Sequence, residues 1–289
     1  MLRCDLLQCL HLTESYPFMP TLTVHPVVLV FGAFDPTGSD GLPADALTCA
    51  ALGVHALSVL TSNIVQDSAE TESVQAFPPE QIDDQARCLL EDMSVQAIKV
   101  GAVSSTEGVS AIAQIAADYS DVPLVLHLGV PSTGAESLSD QEDNDERMGA
   151  MIELLIPQAM VVVAEARHLD EWMDEDLLEA TGQNSAPQAL QSMGADWVMV
   201  LGHVQRPGHR VNLLVGPDNQ TTSLAWVAPP ERLRDAGGMV AAAMCALIAR
   251  GVSVSEAAEL ACQYAERAQA QAFRPGMGGL IANRMAIPT

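Results

Sequence analysis

The sequence predicts an α/β fold, a doubly wound and mostly parallel sheet flanked by helices in a single domain. Three observations lead there. Apolar, β-branched runs too continuous for half-exposed strands alternate with helical stretches along most of the chain. Clusters of Gly, Pro, Asp and Ser punctuate the first of these transitions. No linker, composition break or internal repeat interrupts the 289 residues, a length that suits one large domain or two small ones.

Val27 to Phe34 (VVLVFGAF) is a strand buried on both faces, followed by the turn cluster DPTGSDG. Leu42 to Leu52 is an Ala-rich helix that Gly53 closes as a C-terminal cap. The alternation continues with a strand over Ala56–Val65, a helix over Pro79–Met93, a strand over Val95–Val100, a helix over Thr106–Tyr119 and a strand over Leu124–Leu128. The acidic stretch SLSDQEDNDER, ending at Arg147, lacks the turn-setting glycine of a calcium loop and is expected to be a solvated loop. A helix near Glu146–Ile156, a strand over Met160–Ala164 and a strand over Trp197–Leu201 follow. Two short strands between residues 210 and 227, around Gly216-Pro217-Asp218-Asn219, make a hairpin beside the main sheet. The chain closes with helices over Gly237–Arg250 and from Ser253 to about Ala272.

Composition narrows the function classes. With 48% hydrophobic residues the chain has enough apolar side chain for a packed core, and 37 acidic against 13 basic residues give a net charge of −24. Such a field repels phosphate backbones and anionic lipid, so neither nucleic acid nor membrane is an expected partner. No run of about 18 apolar residues is present to span a bilayer. Six cysteines are scattered singly with no CxxC pair, which points to free thiols in a reducing cytoplasm. Residues 1–18 show no signal-peptide pattern and are expected to be a loose extension ahead of a domain over 19–289. Lys99 is the only lysine, the other twelve basic residues being arginine.

Neither a GxxxxGK[ST] loop nor a clean GxGxxG after a strand occurs. The informative segment is the first strand-to-helix turn, Asp35-Pro36-Thr37-Gly38-Ser39-Asp40-Gly41, with Ala44-Asp45 behind it. Glycines 38 and 41 let the backbone approach a ligand at the carboxyl end of the first strand, where open α/β sheets place their sites. Gln66 has the amide that can pair with an aminopyrimidine edge, and equally suits a polar strand end. Asp45 either lines a substrate pocket or charges the first helical turn.

Together with Ala51-Leu52-Gly53, Ser58 to Thr61, Gln66-Asp67-Ser68, Ala97 to Gly101 and Leu154 to Gln158, this turn resembles the hydroxymethylpyrimidine and phosphomethylpyrimidine kinases of thiamine biosynthesis, members of the ribokinase-like group. The resemblance spans about residues 27–280. It implies transfer of a phosphoryl group from ATP, with Mg2+, to a small aminopyrimidine alcohol or its monophosphate, in a cytoplasmic homodimer. On it, Asp35, Gly38, Gly41, Asp45 and Gln66 fall on substrate-side positions. Ala236, Gly237 and Gly238 fall on the anion hole at the penultimate helix, and Glu165 on the magnesium and phosphate network.

The back half departs from that pattern. The family's GTGC becomes Asp235-Ala236-Gly237-Gly238, so the base position is Gly238. Asp235 either compensates from one turn earlier or caps the helix, the role aspartate favours there. A lysine near the nucleotide phosphates becomes Leu201, an aspartate after the fifth strand becomes His127, and the GHG run becomes Gly276-Met277-Gly278. Glu165 and His168 have the i, i+3 spacing of a metal pair but no third ligand, so no resident metal is expected. Arg232 and Arg234 are candidate replacement cations, or surface charges. These losses imply an alternative, a catalytically impaired paralogue that keeps the pyrimidine pocket as a sensor or regulatory protein.

Overall fold

A computed structural model describes residues 25–129, 141–175, 177–178 and 185–285. The predicted extension at 1–18 lies outside the described residues. Among these residues the sheet has nine strands: β1 (Val27–Phe34), β2 (His55–Gln66), β3 (Thr71–Ala76), β4 (Ala97–Val100), β5 (Leu124–Leu128), β6 (Val161–Glu165), β7 (Trp197–Arg206), β8 (His209–Val215) and β9 (Thr221–Leu224). Their order is β3-β2-β1-β4-β5-β6-β7-β8-β9. The six inner strands from β2 to β7 pair in parallel, and β3, β8 and β9 add antiparallel edges.

Among the described residues eight α-helices cover the sheet: α1 (Gly41–Ala51), α2 (Pro79–Asp92), α3 (Thr106–Asp118), α4 (Gln141–Ala150), α5 (Ala166–Asp174), α6 (Ala186–Ser192), α7 (Ala236–Ala249) and α8 (Val254–Ala270). The doubly wound prediction therefore holds, with the chain order reversing between β1 and β4. At such a switch point the connections leave in opposite directions and open a crevice beyond the carboxyl ends of the strands.

Strand parity sorts the core into two layers. Leu29, Phe31, Ile98, Val100, Leu124 and Leu126 face one side, where Ile112 and Ile115 of α3 pack on them. Val28, Val30, Ala97, Val125, Val161 and Val163 face the other, packed on α7 and α8. Helix α7 (AGGMVAAAMCALIA) is apolar all round, and twelve of its fourteen residues are buried. Small side chains let it lie close on the middle of the sheet, as a fully enclosed helix must.

Several elements correct the sequence reading. Residues 141–147, expected as solvated loop, are helical and form most of α4, whose hydrophobic side leads through Met148 into a π-helical turn over Met151–Leu155 and a 3-10 turn over Ile156–Gln158. Edge strand β3 escapes notice because TESVQA is mostly exposed and carries no apolar run. Helix α6, seven residues long, is too short for a clear period, and α5 is passed over although Leu169 and Trp172 are buried one turn apart. The hairpin around Gly216 is present as β8 and β9, and a second one joins β7 to β8.

The turn after β1 is set by Asp35, fully buried. Its carboxylate accepts from the Thr37, Ser39 and Asp40 amides and from the Thr37 and Ser39 hydroxyls. This web folds the chain back so that Gly41 starts α1 at φ +62°, where an added Cβ would overlap the Ala33 carbonyl oxygen. Gly53, at φ +75°, has open space at the same atom. Gly53→Ala is therefore expected to lose only the left-handed backbone penalty of about 1–2 kcal/mol. Gly41→Ala is expected to lose clearly more, because the turn itself must move. Urea unfolding of the two variants checks the difference.

Candidate functional site

Parity also builds the site. On β4, Lys99 follows Ala97 on the α7 side. On β5, His127 follows Val125, and on β6, Glu165 follows Val163. Each is a polar side chain at the upper end of an otherwise apolar row, so the three are delivered to where α7 begins. They line a cleft of about 950 Å3 together with Asp40, Gly41, Asp45, Leu201, Arg210, Trp226, Arg232, Arg234, Asp235, Ala236 and Gly237, among others.

The floor near β4 is a charge cluster closed from water. Lys99 Nζ donates to Asp45 Oδ2 at 2.6 Å, both side chains being under 5% exposed. Arg284 Nη2 donates to Asp235 Oδ2 at 2.8 Å, again almost without solvent. Arg284 also donates to the Thr48 hydroxyl and the Ser39 carbonyl, and its own carbonyl accepts from the Tyr264 hydroxyl. Burial alone would lower Lys99, but Asp45 and Asp235 outweigh it and hold the ammonium charged. Asp45 Oδ1 is buried without a partner. Asp40, half-buried at the rim of the first turn, is pushed up to about 6 by burial and by the nearby Asp235 charge.

Asp235 corrects the expectation of a helix cap. It precedes α7 with left-handed φ 53° and ψ 45°, and its side chain makes no capping bond. Oδ2 is held by Arg284, while Oδ1 stands over Gly238, where an added Cβ would coincide with it. The carboxylate thus fills the place that a side chain at position 238 would take. The amides of Ala236, Gly237 and Gly238 open the helix; the first helical bond runs from the Met239 amide to the Asp235 carbonyl. A Cβ at Gly237 would stand 2.8 Å from His127 Nε2, so a side chain there requires the imidazole to shift.

The other predicted residues separate. Gly41, Asp45, Glu165, Asp235, Ala236 and Gly237 line the cleft, whereas Asp35, Gly38, Gln66 and Gly238 do not. Burial pushes the Asp35 carboxyl up, but bonds from Gln66, Thr37 and Ser39 hold it below the usual range, as befits a turn organiser. Gly38 sits in that same turn with its amide on the Asp35 carbonyl. Gln66 Oε1 accepts from the Thr71 hydroxyl at 2.9 Å and from Arg234 Nη1 at 3.0 Å.

Glu165 Oε2 accepts from Arg167 at 2.8 Å, and its Oε1 faces Gly237. His168 packs against Trp172 with its Nδ1 buried and unpartnered, and no group of three potential ligands exists among the described residues. Sequence reasoning missed Lys99 and Arg284. Lys99 was detectable as a charge in register with inward residues; Arg284 gave no local signal, because its partners lie far away in the chain.

A family model described as phosphomethylpyrimidine kinase matches residues 35–283. The hydroxymethylpyrimidine/phosphomethylpyrimidine kinase of Mycobacterium leprae is 27% identical over 91% of this chain and 95% of its own length, and that of Streptomyces coelicolor is 29% identical over 88% and 92%. Among solved structures, phosphomethylpyrimidine kinase from Clostridium difficile 630 superposes with a TM-score of 0.69 at 23% identity, covering 83% of this chain and 97% of that one. An ADP complex of Bacillus subtilis pyridoxal kinase gives 0.77 at 20% identity, over 91% and 98%. The two structural likenesses establish the ribokinase-like fold.

Two outcomes follow from the buried groups. Lys99→Met leaves Asp45 as an unpaired interior charge and is expected to lose about 3–5 kcal/mol, much of it regained when Asp45→Leu is added, as urea unfolding will show. His127 is lowered to about 4 by burial first and by the Lys99 charge second. A folded pKa below the unfolded value means that the unfolded chain binds the extra proton, so this contribution to stability is present above about pH 6.5 and is lost as pH falls toward 4. His127→Gln removes that slope, and melting curves across this window are expected to show it.

Proposed function

The chain belongs to the phosphomethylpyrimidine kinase family, and from that premise we propose that it transfers the γ-phosphoryl group of ATP to the hydroxyl of a hydroxymethylpyrimidine or to the phosphate of its monophosphate. The observation that carries this reading is the Asp235 carboxylate standing where a side chain at position 238 would be. The base that Gly238 lacks is supplied from three residues earlier. Asp235 Oδ1 makes no hydrogen bond among the described residues, and burial raises its affinity for a proton against the pull of Arg284 and Lys99. Both properties suit a general base.

In this scheme the substrate hydroxyl gives its proton to Asp235 Oδ1 as its oxygen bonds the γ-phosphorus, and the bond from that phosphorus to the bridging oxygen breaks to release ADP. The amides of Ala236, Gly237 and Gly238 receive the transferring group, where the helix end favours negative charge. Asp45 and Gly41 line the acceptor side. At the opposite end Arg210, reaching from β8 with Nη1 on the Gly202 carbonyl and its guanidinium over Trp226, offers a cation beside the Leu201 position. The half-buried carboxylate of Glu165, with no group of three potential ligands among the described residues, fits a magnesium ion carried in on nucleotide phosphates rather than one caged by protein. Such an ion neutralises phosphate charge when bound.

A second reading rests on the same carboxylate. Asp235 places negative charge beside the amides that must receive a phosphoryl group, which supports a protein that binds the pyrimidine and turns nothing over. Calorimetry with pyrimidine and ATP separately distinguishes the two. Affinity for both supports the kinase, and affinity for pyrimidine alone supports the binder.

A coupled assay with Mg·ATP and each pyrimidine is expected to show turnover well above an unrelated protein. Asp235→Asn, which keeps the bond to Arg284, is expected to lower kcat about 10²–10⁴-fold with ATP affinity retained. Gly238→Cys is expected to give no gain, because its Cβ collides with Asp235.

A further inference from the structure

The run Gly276-Met277-Gly278 has no part in the scheme above, yet it stands on the rim of the cleft. Met277 is 94% exposed, and among the described methionines only Met285, which does not line the cleft, is also open to water. A single exposed apolar side chain is common on a protein surface and means little alone. Met277 differs in how it is held.

The loop that carries it is fixed on three sides. Phe273 and Ile281 close its base, each amide donating to the other's carbonyl. The Gly278 and Gly279 amides donate to the hydroxyl and the carbonyl of Ser68, on the turn between β2 and β3. The Leu280 amide donates to the Arg232 carbonyl, and the Leu280 carbonyl accepts from the Arg234 amide. Added Cβ atoms at Gly276 and Gly278 would run into Ser68, and one at Gly279 would press on the Arg232 carbonyl. Bare backbone is what lets the loop lie this close. Across residues 276–279 the one side chain is therefore a thioether, pinned at the cleft and left in water.

Sheet order places it at one end. Ser68 and Ala69 follow β2, Gly41 and Asp45 belong to α1 between β1 and β2, and Met277 lines the cleft with them on the acceptor side. Leu201 of β7, Arg210 of β8 and Trp226 just after β9 line the far end. A thioether packs favourably against an aromatic ring, and oxidation to the sulfoxide turns that flexible apolar group into a polar one.

We propose that Met277 is a redox-modification site, a thioether that covers the acceptor ring when reduced and releases it once a peroxide has oxidised it to the sulfoxide. The proposal rests on the kinase reading only for the acceptor being a pyrimidine. With hydrogen peroxide, Sδ attacks one oxygen and the O–O bond breaks. The hydroxide released takes the proton from the new S–OH and leaves as water, so sulfur loses two electrons and the peroxide gains them.

The test uses the whole protein without nucleotide, with hydroxymethylpyrimidine as ligand and hydrogen peroxide as oxidant. Mass spectrometry of digests follows each methionine, and calorimetry follows affinity. Sulfoxide is expected at Met277 and Met285 before the enclosed methionines, with saturating pyrimidine slowing Met277 severalfold and leaving Met285 unchanged. Affinity after oxidation is expected to fall about two- to tenfold, the range of a thioether–ring contact. Methionine sulfoxide reductase restores it, Met277→Gln reproduces the loss without peroxide, and Met277→Leu shows no peroxide response relative to its own untreated affinity. Equal oxidation of Met277 with and without pyrimidine, unchanged affinity after its oxidation, a peroxide response that persists in Met277→Leu, or no pyrimidine binding overturns the proposal. Turnover without protection of Met277 discards it and keeps the kinase reading, whereas protection and peroxide-sensitive binding without turnover do the reverse.

Discussion

The buried pairs Lys99–Asp45 and Arg284–Asp235 hold charge out of water where α7 meets the parallel strands, and the geometry of the cleft depends on them. Their four members come from β4, from α1, from the approach to α7 and from the closing segment of the described chain. Each ion is tolerable only if its partner is present in good geometry, since desolvation is repaid by nothing else at that depth. Helix α7 itself is a poor anchor in the other sense: its apolar, small-residue surface fits the sheet but does little to fix its rotation. The ion pair at Asp235 supplies that rotation, and with it the direction in which the first amides of the helix point.

Most of the architecture was legible because buried parallel strands leave a strong pattern. VVLVFGAF matches β1 residue for residue, and the Ala-rich, Gly-closed stretch matches α1 within one or two residues at each end. What failed to register was structure with little burial or little length, such as TESVQA in β3, and the acidic residues at 141–147, where charge suggested a loop although the following apolar face carried the helix. Local composition reports solvation, whereas the helix at 141–150 is stabilised by the core it leads into.

The site was legible unevenly for a different reason. Asp45, Gly41 and Gly237 belong to short motifs whose spacing reflects a local turn, and they do meet in the cleft. Asp35 and Gln66 share those motifs, yet their polar atoms are spent on neighbours, Asp35 on its own turn and Gln66 on Thr71 and Arg234. A motif names the residue without saying what its hydrogen bonds are used for. The converse holds at Gly238, where a missing side chain is matched in space by Asp235, a substitution visible only once the left-handed turn before α7 is seen. Long-range partners such as Arg284 with Thr48 and Ser39 have no sequence signature at all.

The single lysine of the chain is the one at the bottom of this cluster, almost fully enclosed and bound to Asp45. A folded surface therefore presents no ε-amine to solvent. Acylating reagents, amine cross-linkers and enzymes that conjugate or acetylate lysine find no side-chain target on the native protein, and tryptic digestion must proceed almost wholly at arginine. The one ammonium group that exists becomes chemically reachable only when α7 lifts from the strands beneath it, so that covalent labelling at Lys99 is a direct chemical record of the core coming apart.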